Sequence, residues 1–392
     1  MAKQDVVIIG GGAIGSAIAY FVAGDPGFDG SVTVIECDPA YAKASSALSA
    51  SSIRQQFSSP INIRLSQFGI EFLRDVGSRL AVGAERPDVG LKEQGYLFLA
   101  SASGAQALEA NHRVQVSLGA DITLLGPDAL RQRFAWLSTD GIALGALGMS
   151  GEGWFDGYGL LQGFRRKARA LGARYVTARA VGFDRENAKI RGVRLADGAV
   201  IDCDIAVNAA GPWAREPAAW LGIDLPVRAR RRCVFVVSCP TRLDAVPLVI
   251  DPSGVYFRPE GAGRFICGNS PAADNDPDDL PLEVDHANFE DTLWPCLAAR
   301  VPAFEALRPS GAWAGYYEYN TFDCNGIVGP HPEFTNLLFA NGFSGHGLQH
   351  SPGVGRGVAE LIVHGGYRSI DLSPLGFGRI AANLPLYERN VV

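Results

Sequence analysis

No Cys-x-x-Cys pair occurs among the seven cysteines of this sequence, scattered at Cys37, Cys203, Cys233, Cys239, Cys267, Cys296 and Cys324. Odd in number and dispersed, they read as buried reduced thiols in a reducing compartment. Basic charge is not in excess: 35 lysine and arginine residues against 41 acidic ones leave a net charge of −6. That balance gives no general affinity for nucleic acid or an anionic membrane. A clean membrane-length run is also missing. The nearest stretch, Val6 to Ala23, is interrupted by four glycines and lacks a basic leader or a clear cleavage site, so neither a transmembrane nor a secretory segment is expected. The expectation is a cytoplasmic protein. No repeat of fixed period and no long low-complexity linker occurs. What is present is an ordinary globular composition, 47% hydrophobic and 19% charged over 392 residues, long enough for two domains.

Val6-Val7-Ile8-Ile9 has the continuous apolar character of a strand buried on both faces of a parallel sheet. Ala13 to Ala23 reads as a small-residue helix and Val32 to Ile35 as a second strand, completing a βαβ unit. Between the first strand and the helix lies Gly10-Gly11-Gly12-Ala13-Ile14-Gly15, a G-x-G-x-x-G motif. Gly10 permits the tight turn, Gly12 lets backbone approach a pyrophosphate, and Gly15 lets helix and strand pack closely. The helix start, at Ala13 and Ile14, presents free N–H groups to the phosphates. Glu36 ends the second strand, where a carboxylate can accept hydrogen bonds from both ribose hydroxyls and would repel a 2′-phosphate. This unit binds a dinucleotide, either NAD or FAD. Two further segments favour FAD: Asp204 to Gly211, an apolar strand ending in small residues, and the small-residue turn Asn341 to Gly347. Such a turn can set backbone N–H groups against a flavin's carbonyl oxygens.

Elsewhere, helices are expected over Ile61–Val76, Ala105–Leu118, Leu160–Leu171 and about Val354–Val363. Tyr96–Ala100 reads as a strand, and Val181–Val207 as short strands joined by a turn at Asp197-Gly198. Val234–Val237, Val255–Phe257 and Phe265–Cys267 suggest a separate, largely antiparallel sheet, with Pro271–Pro281 an exposed loop. Two interleaved domains fit this order better than two consecutive ones. His346 and His350 stand four apart, but Gly-His-Gly-Leu-Gln-His-Ser-Pro is a poor helix with no acidic partner following, so no metal site is expected.

With these segments the sequence resembles the D-amino acid oxidase superfamily of FAD-dependent oxidoreductases over nearly its whole length. The resemblance rests on the glycine motif, Ala44-Ser45-Ser46-Ala47-Leu48-Ser49-Ala50, Gly153-Trp154-Phe155-Asp156, Asn208-Ala209-Ala210-Gly211-Pro212-Trp213 and Gly342-Phe343-Ser344-Gly345-His346-Gly347. Within the superfamily it looks nearest to sarcosine and dimethylglycine oxidoreductases, D-arginine dehydrogenase and the mitochondrial FAD oxidoreductases linked to complex I assembly. It implies an α/β FAD-binding Rossmann-type domain (1–83, 150–225 and 325–392), interleaved with an α+β substrate domain on a mixed, largely antiparallel sheet (84–149 and 226–324). Cofactor contacts are then expected from the glycine motif with Ala13 and Ile14, and from Glu36 and Cys37. Ser45 and Ser46 are expected by the pyrophosphate, with Ser49 following and Val181 on the adenine side. Ala210, Gly211 and Trp213 belong to the same set, as do Gly342, Ser344, Gly345, His346, Gly347 and Gln349.

Three departures shape the functional expectation. The stretch Trp313-Ala314-Gly315-Tyr316-Tyr317-Glu318 lacks the cysteine that tethers flavin in sarcosine oxidases, and no histidine occurs between Ala44 and Gln56, so FAD is expected to be non-covalent. The lysine that helps related oxidases activate oxygen is missing near Ile266, which favours a dehydrogenase over an oxidase. Tyrosines replace the arginine that D-amino acid oxidases carry after Trp313. Arg232 matches a carboxylate-binding arginine of D-arginine dehydrogenase, and a guanidinium suits an amino-acid carboxylate. Arg54 either supports the flavin loop or touches substrate. Tyr256 stands where relatives place an active-site tyrosine; of Tyr316 and Tyr317, alternating on a strand, at most one should face the flavin. His346 is a polar support beside the flavin, and Gln349 replaces the substrate-binding lysine of sarcosine oxidases. Tyr256, Arg232, His346 and Tyr317 are thus the candidates nearest the chemistry, with Arg54, Tyr316 and Gln349 as further substrate contacts. The resemblance implies oxidation of the C–N bond of an amino acid or secondary amine by hydride transfer to flavin N5, giving an imine that hydrolyses. Two alternatives stand beside it: a 2-hydroxy acid oxidoreductase on the same fold, and a flavoprotein subunit or assembly factor acting through a partner. Oxygen, a quinone or a carrier protein remains open as electron acceptor, and the oligomeric state is open too.

Overall fold

The computed structural model describes residues 4–261, 263–271 and 276–390. The apolar run at the start forms the strand Gln4–Ile9, in which Val6 to Ile9 are buried. It lies between Gly30–Glu36 and Ile205–Asn208, parallel to both. Outward from these lie Arg174–Thr177 on one side and Leu337–Asn341 on the other, again parallel, with Ile327–Pro330 antiparallel at the edge. A three-stranded antiparallel sheet, Ala180–Glu186, Lys189–Leu195 and Val200–Asp202, follows the expected turn at Gly198.

The second large sheet has eight strands and is antiparallel except where Leu248–Ile250 runs parallel to Tyr96–Ala100. Its spine is a pair of long strands, Val227–Ser238 and Arg308–Asn320, in a register that sets Arg232 opposite Gly315 and Arg230 opposite Tyr317. Strands of the two sheets alternate along the chain. The fold is therefore an α/β unit on a mostly parallel sheet interleaved with an α+β unit on a mixed, largely antiparallel sheet.

The helix Ala13–Ala23 packs against the carboxy-terminal helix Gly347–His364 at very close range. A Cβ on Gly355 would stand 2.7 Å from the Cβ of Ala17, so small residues are what lets the two cross beside the glycine turn. This second helix starts seven residues earlier than the expected Val354, despite Pro352 inside it. Pro352 cannot donate to the carbonyl of Leu348, and the Ser351 hydroxyl does so instead, at 2.8 Å. The expected helix near Leu160 spans Gly157–Ala170 and buries Leu160, Leu161, Phe164 and Ala168. Asp156 caps it by accepting from Gly159 N at 2.9 Å. Asp156→Ala should therefore cost about 1 kcal/mol of stability, read as a lowered urea midpoint with an unchanged slope.

Of the loop expected at Pro271–Pro281, residues 272–275 lie outside the described residues. Pro277, Asp278 and Asp279 are exposed as expected, but the Asp276 side chain turns inward and is only 6% exposed. Two buried arginines draw it in, as the site makes clear. Among the described residues, no helix is long and apolar enough to cross a membrane.

Candidate active site

The glycine turn is shaped by close approach on both sides. Gly10 has φ +101°, and a Cβ there would stand 2.3 Å from the carbonyl oxygen of Ala209. A Cβ on Gly15 would meet Gly10 O at 1.9 Å. Gly12, by contrast, faces open space and the Ser46 hydroxyl, which accepts from Ala13 N at the helix start. The Glu36 carboxylate accepts from Gly11 N and Asp38 N, both at 2.8 Å. Between these walls lies a groove of about 390 Å3, lined also by Cys37, Arg179, Ala210, Gly211 and Trp213. A helix N-terminus, an open glycine and a strand-end carboxylate are the donor and acceptor set that the ADP half of FAD requires. The residues fit the cofactor. Val181 is 44% exposed and its side chain does not line this groove, whereas Arg179 and Ala180 do.

The groove continues into a narrower cavity bounded by Leu48, Ser49 and Ala50, by Arg232, Tyr256 and Tyr317, and by Gly345, Gly347 and Leu348. No cysteine or histidine is among its lining residues, which fits FAD held without a covalent tether. Arg258 donates to Ala50 O at 2.8 Å and 3.2 Å, holding the floor segment from behind. Several expected contacts sit behind the cavity wall instead of on it. Ser344 uses its hydroxyl to accept from Asn320 N, and Gly342 N donates to Glu318. His346 is buried against Phe57 and His350, its ring nitrogens without a partner among the described residues. Burial, reinforced by the positive charge of Arg54, lowers its pKa to about 3 and keeps it neutral.

Two of the expected substrate contacts are already engaged by other groups. Gln349 is not placed to meet a substrate in this cavity: its Oε1 accepts from Arg54 N at 2.9 Å and Ser66 Oγ at 3.3 Å. The helix starting at Gly347 turns position 349 towards the helix Pro60–Arg74 and presents Leu348 to the cavity. Arg232 does line the cavity, but its guanidinium is already engaged. Nη1 and Nη2 both donate to Asp276, each at 2.8 Å, in a bidentate pair that a substrate carboxylate would have to displace. Arg230 binds the same carboxylate at 3.0 Å. Burial alone would raise the Asp276 carboxyl, but hydrogen bonds and charge from Arg232 and Arg230 overcome it and hold its pKa below the usual carboxylate value.

Arg54 presents the opposite case. It is 4% exposed, stacked at 4.2 Å from the ring centre of Phe57, with Phe98 at 5.2 Å and Tyr96 at 5.9 Å. Its side chain donates to the backbone oxygens of Gln56 and Asn390. No carboxylate pairs with it among the described residues. Tyr317 lies between the two arginines, with Arg232 at 5.0 Å from its ring centre and the charge of Arg54 also felt at its phenol. Tyr316 also lines the cavity, but its hydroxyl donates to Leu280 O and its ring meets Trp213 edge-on. Tyr256 lines the cavity half-buried beside Tyr317, and desolvation pushes its phenol well above the usual value.

Three side chains escaped the sequence reading: Asp276, Glu318 and Arg258. Asp276 is the partner that the Arg230-Arg231-Arg232 triplet demands, but an acid-rich loop 44 positions away gives no local sign of it. Glu318 is a lone acid near the end of an aromatic strand, half-buried where it lines both cavities.

Comparison with known proteins agrees with this geometry. The model of the FAD dependent oxidoreductase family (DAO) matches residues 5–361. FAD-dependent oxidoreductase domain-containing protein 1 of Xenopus laevis is 45% identical, over all of this chain and 85% of its own. Monomeric sarcosine oxidase of Bacillus sp. (strain B-0618) is 24% identical over 92% of each chain. Among solved structures, L-proline dehydrogenase from P. horikoshii superposes with a TM-score of 0.85 at 26% identity, covering 98% of this chain and 99% of that one. With the dinucleotide groove, the second cavity and this match in agreement, the chain belongs to the DAO family of FAD-dependent oxidoreductases.

Proposed function

We propose that this enzyme oxidises the C–N bond of an amino acid or N-alkyl amino acid, with Arg54 receiving the substrate carboxylate. The observation that carries the reading is the state of the two arginines that flank Tyr317. Arg232 is neutralised by Asp276, whereas Arg54 is buried in an aromatic cage with backbone carbonyls as its partners. A buried guanidinium of that kind gains most from a charged, bidentate acceptor.

Bound FAD supplies the hydride acceptor at N5. The chain's own residues then have three tasks. Arg54 fixes the carboxylate end, Tyr256 and Tyr317 wall the cavity against water, and low polarity beside a cation favours the neutral amine. Positioning of the α-hydrogen supplies much of the rate. A hydroxy acid would additionally need a base for its O–H proton. His346, with a pKa near 3, is poorly suited to that task, which favours an amine substrate. The absence of a lysine near Ile266, where related oxidases have one, and the compensated charge of Arg232 favour a dehydrogenase over an oxidase.

The test is anaerobic mixing of the holoprotein with panels of D-amino acids, L-amino acids, N-methyl amino acids and 2-hydroxy acids. Bleaching of the flavin by members of the amino panels alone is expected. Bleaching only by hydroxy acids would replace the reading, and reoxidation faster by oxygen than by a quinone would reverse the preference for a dehydrogenase.

A further inference from the structure

The dinucleotide groove and the ring-side cavity meet at a junction, and five residues line both: Ala13, Ile14, Ser45, Ser46 and Glu318. Four of them are uncharged. Glu318 alone can carry a charge there, and the dinucleotide that spans the two cavities must pass it. The carboxyl is tightly placed. Its Oε2 accepts from Gly342 N at 3.2 Å. Its Oε1 lies 2.8 Å from where a Cβ on Gly347 would stand, and its Oε2 lies 3.9 Å from the corresponding point on Gly211. It is thus wedged between the first residue of the carboxy-terminal helix and the turn that follows the strand Ile205–Asn208.

An ionised carboxylate in this position would face a ligand that is itself an anion, because the pyrophosphate belongs at the adjoining helix start marked by Ala13 and Ser46. Lys43 and Arg179 line the dinucleotide groove, but among the described residues no cation pairs with Glu318 or acts on its carboxyl. On the paired strand, Arg230 and Arg232 are engaged by Asp276 and Asp278. On the turn Gly342–Gly347, His346 is buried and neutral. The segment Ser45–Leu48, the turn Gly211–Trp213 and the start of the helix Ala13–Ala23 bring no charged side chain to it. On its own strand, the neighbours are the phenols of Tyr317 and Tyr319.

We propose that Glu318 enters the FAD complex protonated and donates its carboxyl O–H to an oxygen of the dinucleotide at the junction of the two cavities. Burial already pushes this carboxyl up to about 8, with two backbone N–H groups acting against the shift and no charged neighbour contributing. The sign of the consequence follows. Below that pH the acid is protonated in free protein and complex alike, and affinity is flat. Above it, binding takes up one proton, so FAD affinity weakens as pH rises, by up to about tenfold per pH unit. A carboxylate that served only to accept from Gly342 N would give no such slope.

Glu318→Gln separates the two roles, because the amide still accepts through Oε1 and donates permanently through its NH2. The measurement is free FAD, by fluorescence, on serial dilution of holoprotein from about pH 6.5 to about pH 9.5, a range that brackets the raised carboxyl. Wild type should show a dissociation constant that rises roughly tenfold or more above pH 8, and E318Q a profile without that rise. Cys37 also lines the groove, and its raised thiol can add a slope of its own, which is common to both proteins and is removed by Cys37→Ser. Equal slopes in wild type and E318Q, or a flat wild-type profile, overturn the proposal. If E318Q does not fold, the profile of C37S decides alone: a rise supports proton uptake at the junction and a flat line refutes it.

Discussion

Replacing Arg54 with methionine should raise the substrate dissociation constant in anaerobic FAD reduction by roughly 30-fold to several thousandfold. The limiting rate of reduction should change far less. The magnitude comes from truncating one partner of a buried, hydrogen-bonded charge pair, which costs about 2–5 kcal/mol, at about 1.4 kcal/mol per decade. The split between binding and rate follows from where the charge sits. A carboxylate is the same anion in the ground state and the transition state, so its guanidinium contributes mainly uniform binding. Methionine keeps an apolar side chain stacked on Phe57, Tyr96 and Phe98 and removes only the charge and the donors. Arg54→Lys should fall between, since the ammonium keeps the charge and loses the fork. Arg54 also pins the end of the chain through Asn390 O, and this offers a clear contrast. A purely structural Arg54 would give R54M a lower melting temperature and an unchanged substrate dissociation constant.

What could be read in the sequence was local, and what escaped was long-range. The turn Gly10–Gly15 and Glu36 are legible because the strand, glycines, helix start and second strand all fall within one short stretch, and Glu36 meets a backbone N–H of that same stretch. Of the long strand Val227–Ser238 only the apolar end Val234–Val237 was visible, because its first half is an arginine-rich run, and Arg308–Asn320 shows no alternation of buried and exposed positions to mark it. Pro352 hid the start of the carboxy-terminal helix, and the repair by Ser351 is a side-chain detail that periodicity does not report.

The two engaged residues share one physical cause. Arg232 and Gln349 have the chemistry of substrate ligands, and whether they are available depends on which distant group claims them first. Asp276 claims one, and the backbone of Arg54 with Ser66 claims the other. Charge in a sequence can be counted, but its compensation is a tertiary property. The same holds for Glu318, which looks like one more polar residue on a strand until two cavities are seen to meet at its carboxyl.

Asp276→Ala should destabilise the protein by about 3–5 kcal/mol, because it strands a buried guanidinium without its counter-charge. Arg232 is 8% exposed and Arg230 is bound by the same carboxylate, so two cations lose compensation at once. Asp278 keeps a contact to Arg230 at 3.1 Å, and the pairing of Asp279 N with Ala229 O remains. The cost should therefore fall mainly on Arg232. Adding Arg232→Met to D276A should recover most of the loss, since removing both charges leaves an apolar pair in place of an orphan. The pH dependence has a fixed sign. The Asp276 carboxyl is held below its unfolded value, so its contribution is fully present above the unfolded carboxylate pKa of about 3.9. It is lost as pH falls through the lowered folded value, and wild type and D276A should converge in acid. The same variant discriminates between the two arginines as substrate ligands. If Arg232 were the carboxylate receptor, freeing it from Asp276 would tighten substrate binding. If Arg54 has that role, D276A lowers the urea midpoint of the holoprotein and leaves the substrate dissociation constant close to that of wild type.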